Sequence, residues 1–270
     1  MKNNPLVTII TPSYNSRDYI IETIDSVLNQ SYENYEMLII DDCSNDGSYE
    51  MVREYIKKDS RIKVYSLEHN SGCPAVPRNF ALNMAQGEYV AFLDSDDIWH
   101  KDKLKIQIEY MMQNNCFFSA SHIKIFHNKN EIKKAIHKII DFNCVGSEKI
   151  THSKLMFKNI IPNSSVIIKK TLIDDLQFNV DLRYKAIEDY HMWLRILERG
   201  GCCCKIASQL LFYRIAETSI SKSKFAMFKK HIMLYSEYKP YSKSLGLKKY
   251  LYLLTYGYFS FVNKVLRKKV

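Results

Sequence analysis

The chain of 270 residues is 46% hydrophobic and 25% charged, the composition of an ordinary globular protein able to bury a sizeable core. A net charge of +10, with a pI near 9.1, admits nucleic acid, an anionic membrane surface or a polyanionic small molecule as partner. The basic residues collect after residue 222 instead of spreading along the chain, which argues against a nucleic-acid face, and no nucleic-acid motif accompanies them.

Residues 6–10 make a short β-rich run. Ile20, Ile24, Val27 and Leu28 then fall at helical spacing, with Ser16 available as a cap. Residues 37–40 are a second apolar run, followed by a helix marked by Met51, Val52, Tyr55 and Ile56. Residues 62–67 read as a third strand, Phe80, Ala81 and Met84 as a third helix, and residues 89–93 as a fourth strand. Short apolar strands alternating with helices predict an α/β fold with a parallel sheet covered on both faces. Ligands of such sheets sit beyond the carboxyl ends of the strands. Polar residues gather there in this sequence: 11–15 after the first strand, 41–46 after the second and 94–97 after the fourth. From about residue 116 the pattern becomes irregular. A lysine-rich connection covers 129–138, residues 164–168 look like a strand, and residues 189–197 look like a helix.

Seven cysteines occur without a CxxC pair, and the run at 202–204 has no metal-ligand spacing. The odd count, with no signal-peptide pattern, predicts reduced packing thiols and a cytoplasmic setting. The longest apolar stretch, 250–263, is about 14 residues, short of the ~20 that span a bilayer.

The strongest chemical signal is the run Phe92, Leu93, Asp94, Ser95, Asp96, Asp97, in which an apolar strand meets three acids in four positions. Carboxylates this close repel one another and favour a cation, and oxygen ligands suit Mg²⁺ or Mn²⁺. A solvated turn capping the next helix is the plainer explanation. Asp41 and Asp42 likewise end a strand, ahead of Ser44, Asn45, Asp46 and Gly47; one carboxylate there can accept from a base N–H, or Asp46 can simply cap a helix. Tyr14, in the run from Thr11 to Asn15, can lie against a planar base, a contact worth ~1–3 kcal/mol. Arg78 near a helix start suits phosphate, and Glu188 with Asp189 heads the helix bearing Trp193.

Taken together, these segments resemble family 2 of the inverting nucleotide-sugar glycosyltransferases, over roughly residues 5–215. The matching text is VTIITPSYNS, MLIIDDCSNDGS, the stretch from Gly72 to Asn79, GEYVAFLDSDDIW and IEDYHMWLRI. The resemblance implies a GT-A fold, a Rossmann-like, mostly parallel sheet flanked by helices. It also implies that Thr11, Pro12 and Tyr14 pack on the nucleotide base, with Asp42 accepting from it and Asp41 close by. Arg78 matches a donor-contacting arginine. Asp94, Ser95 and Asp96 fit the Asp-x-Asp motif, with Asp96 the metal ligand for Mn²⁺ or Mg²⁺ and Asp97 a neighbour; Asp189 matches the general base. One departure stands out: the family often shows Tyr-Arg-x-His, whereas Ala216 follows Tyr213, Arg214 and Ile215, so Arg214 or Lys222 is left to supply positive charge.

The expected organisation is a glycosyltransferase domain over 1–221, with a nucleotide-binding half (1–100) and an acceptor half (101–221), followed by a basic, aromatic helical region over 222–270. The expected reaction moves a sugar with inversion from a nucleotide diphosphate donor, UDP first, to a saccharide or lipid-linked saccharide hydroxyl in bacterial surface-polysaccharide or lipo-oligosaccharide synthesis. Lys248, Lys249, Lys264, Arg267, Lys268 and Lys269 alternate with aromatic residues, which suits peripheral attachment to an anionic membrane surface at the cytosolic face. A helix pair packed on the domain is the competing arrangement. A non-catalytic nucleotide-sugar-binding protein on the same fold is the alternative function. A nucleotidyltransferase fits less well, because residues 11–15 lack the glycine and lysine of a phosphate loop.

Overall fold

The computed structural model describes residues 4–141, 146–215, 224–240 and 245–255. Its centre is a mixed nine-stranded sheet. The first half follows the predicted alternation: β1 (Val7–Ser13), α1 (Ile20–Leu28), β2 (Tyr35–Asp41), α2 (Ser48–Tyr55), β3 (Ile62–Ser66), α3 (Ala75–Met84) and β4 (Tyr89–Phe92). These four strands are parallel, in the order β3-β2-β1-β4. The second half holds β5 (Ile98–Trp99), α4 (Lys103–Gln113), β6 (Phe118–Phe126), β7 (Ser147–Ile150), α5 (His152–Phe157), β8 (Ile167–Lys169), α6 (Glu188–Glu198), β9 (Cys203–Arg214) and α7 (Lys224–Glu237). Here the sheet continues β4-β8-β6-β9-β5, with β7 also on β9. Strand β8 runs antiparallel to β4 and β6, while β6 and β9 are parallel to each other.

Alternation along the strands explains the two covered faces, since successive side chains point to opposite sides. Val7 and Ile9 of β1, Met37 and Ile39 of β2 and Ala91 of β4 join α1 and α4 in one core. Ile10, Leu38, Ile40, Val90 and Phe92 join α3, α6 and α7 in the other. Cys116 and Cys204 pack in the first core and Cys73 and Cys203 in the second; all four are free thiols.

Three local expectations change. Ser16 does not cap α1 through its side chain: its hydroxyl bonds to Ser13 Oγ at 2.6 Å, and its carbonyl accepts from the Tyr19 and Ile20 N–H groups. Residues 163–165 form a 3₁₀ turn, and only 167–169 are strand. The irregular middle contains two long strands, β6 and β9, whose paired core shifts register at Ser121–Ile123. Irregular burial along β6 and β9 hides the period-2 signal. Part of the basic C-terminal region packs on the domain, because Leu234, Tyr235 and Tyr238 are buried in the α6 core. Tyr235 and Tyr190 share a hydroxyl–hydroxyl bond of 2.9 Å. Ala216, Lys222 and residues 256–270 lie outside the described residues. Among the described residues, no helix is long and apolar enough to cross a membrane.

Candidate active site

Strand register creates the site. Ile10 lies opposite Phe92, and Ser13 lies opposite Asp41, so β1 runs on past the end of β4. The polar loops after β1, β2 and β4 therefore open on one edge of the sheet, into a cavity of about 810 Å³. The loops after β1 and β2 are tied together: Asn45 N–H donates to Asn15 Oδ1, Asn15 N–H to Ser44 Oγ, and Arg17 N–H to Asp46. Asp46 Oδ1 also accepts from Ser48 N–H at the start of α2.

On this side Pro12, Tyr14 and Asp42 line the cavity, with Tyr14 49% exposed and available to a planar ring. The Asp42 carboxylate accepts from Ser71 N–H (2.8 Å) and Ser71 Oγ–H (2.9 Å). Burial pushes its pKa up, the Ser71 hydrogen bonds oppose that, and neighbouring Asp41 adds to it. Thr11 and Asp41 are buried behind this wall and do not line it. Asp41 accepts from the Ser44 N–H and hydroxyl, which shapes the loop that carries Asp42. Gly72 sits at φ +78°, a region L side chains rarely adopt, and gives the turn below Asp42 its path.

Asp94, Ser95 and Asp96 form the next wall. Asp94 Oδ1 accepts from Arg78 Nη2 at 2.7 Å and from Asn163 Nδ2 at 2.9 Å, and Asp94 N–H donates to Ser164 Oγ. Arg78 Nη1 donates to Glu188 Oε1, also at 2.7 Å, with the guanidinium 5.4 Å from the Phe178 ring. Arg78 is thus a buried strut between the β4 loop and α6, although it also reaches the cavity. Burial opposes its charge, but Asp94 and Glu188 outweigh burial and hold its pKa above the ordinary value.

Asp96 opens onto the cavity, with its own backbone N–H bonded to its carboxylate. Burial and then repulsion from Asp94 raise its pKa to about 6. Among the described residues no group of three or more acidic, His or Cys side chains could hold a metal alone. A divalent ion held by one carboxylate and completed by substrate phosphate oxygens fits this donor set, since Mg²⁺ is usually bound that way.

Asp97 instead points inward, fully buried, where Oδ1 accepts from Arg214 N–H at 3.0 Å. This part of the acidic run is therefore not a solvated turn. Burial first, then Asp96 and Asp94, raise its pKa well above the usual carboxylate value. A proton held more tightly in the folded state stabilises below the unfolded pKa, and that contribution is lost as pH rises toward the folded value. Asp97→Asn should therefore raise the melting temperature of metal-free protein, and by more as pH rises above the ordinary carboxylate range. A constant or shrinking gain as pH rises would contradict this account.

Arg214 is not a free cation for the donor. Its Nε donates to the Asp96 carbonyl (2.7 Å) and its Nη2 to Glu22 (2.6 Å), with the guanidinium between the Tyr19 and Phe126 rings. It holds the acidic loop from behind.

Asp189 reaches the same cavity from the first turn of α6. Burial and repulsion from Glu188 raise its pKa to about 7 against the pull of Arg78. An acid poised there suits general base catalysis near neutral pH. The sequence reading missed Asn163 and Ser164, which hold Asp94, because a Pro-Asn-Ser-Ser run carries no local signature of that role. It also passed over Lys185 and gave Tyr213 no role, though both line the cavity.

A mixed α/β sheet with acids at the ends of its parallel strands, and an acid of raised pKa across the cavity, is the layout of a GT-A glycosyltransferase. The family model described as glycosyl transferase family 2 matches residues 8–171, and the chain belongs to that family and is a glycosyltransferase. The putative teichuronic acid biosynthesis glycosyltransferase TuaG of Bacillus subtilis is 41% identical over 235 residues, 86% of this chain and 88% of its own. The Escherichia coli UDP-Glc:α-D-GlcNAc-diphosphoundecaprenol β-1,3-glucosyltransferase WfgD is 38% identical over 229 residues, 83% of each chain. In structure, Staphylococcus aureus TarS 1–349 in complex with UDP-GlcNAc matches with a TM-score of 0.68 at 23% identity, over 85% of this chain and 65% of that one. This chain thus spans just under two thirds of that TarS fragment. The Pyrobaculum calidifontis mannosyltransferase PcManGT, in complex with GDP-Man and Mn²⁺, matches with a TM-score of 0.69 at 19% identity, over 95% and 74%.

Proposed function

We propose that this enzyme transfers a sugar from a UDP-sugar, with inversion, to a hydroxyl of a lipid-linked saccharide during bacterial surface-polysaccharide synthesis. The carrying observation is that Asp189, with a pKa raised to about 7, opens into the same cavity as the strand-end acids Asp94 and Asp96. The named activities of the two bacterial relatives support the polysaccharide setting and the UDP donor.

In this reading Pro12 and Tyr14 pack on the base and Asp42 accepts from it, with Thr11 and Asp41 shaping those loops from behind. Arg78 and Asn163 fix Asp94, and Ser95 flanks the donor. Asp96 holds Mn²⁺ or Mg²⁺, an ion that neutralises charge developing on the leaving diphosphate. Asp189 accepts the proton of the acceptor hydroxyl as that oxygen bonds to the anomeric carbon from the face opposite the departing UDP. Held between Glu188 and Arg78, the carboxylate is basic enough to take the proton and is still largely ionised above neutral pH.

The test is a thermal-shift panel of nucleoside diphosphates with and without Mn²⁺. UDP at 100 times its Kd adds about 2.7 kcal/mol of stability. Stabilisation by UDP with metal is expected, and Asp96→Asn should remove the metal-dependent part. No shift with any nucleotide in folded protein would overturn the donor site. NMR of the product should show the inverted linkage.

We also propose peripheral attachment to the cytosolic face of a membrane. Leu247, Leu251 and Leu254 are 83%, 52% and 72% exposed beside Lys248 and Lys249, an apolar and basic combination suited to an anionic interface. Replacing the three leucines with serine should reduce sedimentation with phosphatidylglycerol vesicles; unchanged sedimentation would count against this surface.

A further inference from the structure

Tyr213 stands next to the last residue of β9, and its side chain lines the cavity together with Asp94, Asp96 and Asp189. Strand alternation sends it to the face opposite Phe212 and Arg214. Phe212 packs with Ile98, Phe126 and Ile132, and Arg214 is buried behind the acidic loop. The backbone that follows is pinned. Arg214 N–H donates to Asp97 Oδ1 at 3.0 Å, Arg214 Nε to the Asp96 carbonyl at 2.7 Å, and Ile215 N–H to the Phe126 carbonyl at 3.0 Å. The ring is thus carried on a segment tied to the loop that bears Asp94 and Asp96.

Tyr213 is half-buried, yet its hydroxyl makes no hydrogen bond with any described residue. A phenol O–H taken out of water ordinarily finds a partner. Burial first, and then Asp97, Asp94, Asp96 and Asp189, push its pKa above the ordinary value. The hydroxyl therefore keeps its proton at neutral pH and stands as a donor facing the cavity.

The cationic and amide donors beside the acidic loop are already committed. Arg78 holds Asp94 and Glu188, and Asn163 Nδ2 holds Asp94 Oδ1. Arg214 holds the Asp96 carbonyl and Glu22. Ala216, three residues beyond Tyr213 in the chain, has no polar side chain to add. A diphosphate that enters beside Asp94 and Asp96 therefore meets in Tyr213 an O–H that no described residue has claimed.

We infer that the Tyr213 hydroxyl donates a hydrogen bond to the leaving diphosphate of the nucleotide-sugar donor, at the β-phosphate oxygen released from the anomeric carbon. This inference rests on the glycosyl-transfer reading above and assigns a residue to its leaving-group side. As the acceptor oxygen bonds to the anomeric carbon, the electron pair of the breaking C–O bond passes to that β-phosphate oxygen. Charge grows there, so a fixed O–H donor stabilises the transition state more than the intact donor. The phenol keeps its proton throughout, because burial and the surrounding acids hold its pKa far above that of a phosphate oxygen.

The experiment is calorimetric titration of the full chain and of Tyr213→Phe with UDP and separately with UMP, each at saturating Mn²⁺. The variant loses one oxygen and should melt, without ligand, at the wild-type temperature. UDP carries the β-phosphate that transfer leaves behind, and UMP lacks it. Tyr213→Phe should weaken UDP by about 10-fold, the loss of one charge-assisted hydrogen bond, and leave UMP unchanged. In sugar transfer its kcat should fall by about 10²-fold, with the limb near pH 7 that belongs to Asp189 kept in place. Unchanged UDP affinity in the variant overturns the contact. An equal loss of UDP and UMP overturns it too, because the hydroxyl then serves another part of the nucleotide or the fold. A displaced pH limb would make the hydroxyl a partner of Asp189 instead. If the wild-type chain fails to bind UDP, the donor reading falls and takes this inference with it; if wild type binds and the variant is indifferent, only this inference falls.

Discussion

Asp189→Asn is expected to lower the rate of sugar transfer by about 10²–10⁴-fold while leaving the affinity for UDP with Mn²⁺ unchanged. The substitution keeps shape and one contact: the Asp189 Oδ1 that accepts from Tyr190 N–H at 2.7 Å is replaced by an amide oxygen that can do the same. What it removes is the ability to take a proton from the acceptor. The wild-type kcat/KM should rise with pH through about 7, because burial and Glu188 raise the Asp189 pKa and the base must be ionised to act. The residual activity of the variant should lack that limb. Stability should not suffer, since the change removes a charge from a region already crowded with acids. Transfer at the native rate would disprove the base assignment, and a loss of UDP affinity would place the residue in the donor site.

Arg78→Met is expected to destabilise the protein by about 3–5 kcal/mol, measured by urea unfolding. Side chains of Arg78 and Glu188 are only 4% and 5% exposed, with both ion-pair contacts at 2.7 Å. Removing the cation leaves Glu188 buried and Asp94 uncompensated, which costs more than a solvated surface pair, usually worth no more than about 1 kcal/mol. A second substitution, Glu188→Gln, should recover part of the loss, giving a coupling energy above about 1 kcal/mol in the double-mutant cycle. Additive effects would mean that the two side chains do not act as a pair. The strut also spans the cavity floor from α3 to α6, so the single variant should lose metal-dependent UDP binding along with stability.

Arg78 shows where reading the chain alone reaches its limit. The sequence placed an arginine near a helix start and, by resemblance, against the donor. The fold engages two of its nitrogens with Asp94 and Glu188, the latter 110 residues away. Arg214 is parallel: a candidate substitute for the missing histidine by sequence, it is turned in the fold to the Asp96 carbonyl and Glu22. An arginine is visible in a sequence, but the carboxylates that will occupy it are not, because they arrive from other elements.

The first 100 residues were legible because their signals are local. Each parallel strand is a short apolar run, each helix shows apolar residues at helical spacing, and the polar stretches follow the strand ends, so β1 to β4 and the edge bearing Asp42, Asp94 and Asp96 follow from neighbours in the chain. The tertiary structure alone decided which acids face the cavity and which are buried behind it. It turned Asp97 inward to Arg214 N–H, 117 residues away, and put Asp41 behind Asp42. It also built β9 onto β6 and brought Lys185 and α7 to the wall near Asp189. These outcomes depend on closing loops of roughly a hundred residues, and on burial that sets the charge and partner of each side chain. No periodicity within a single element encodes either.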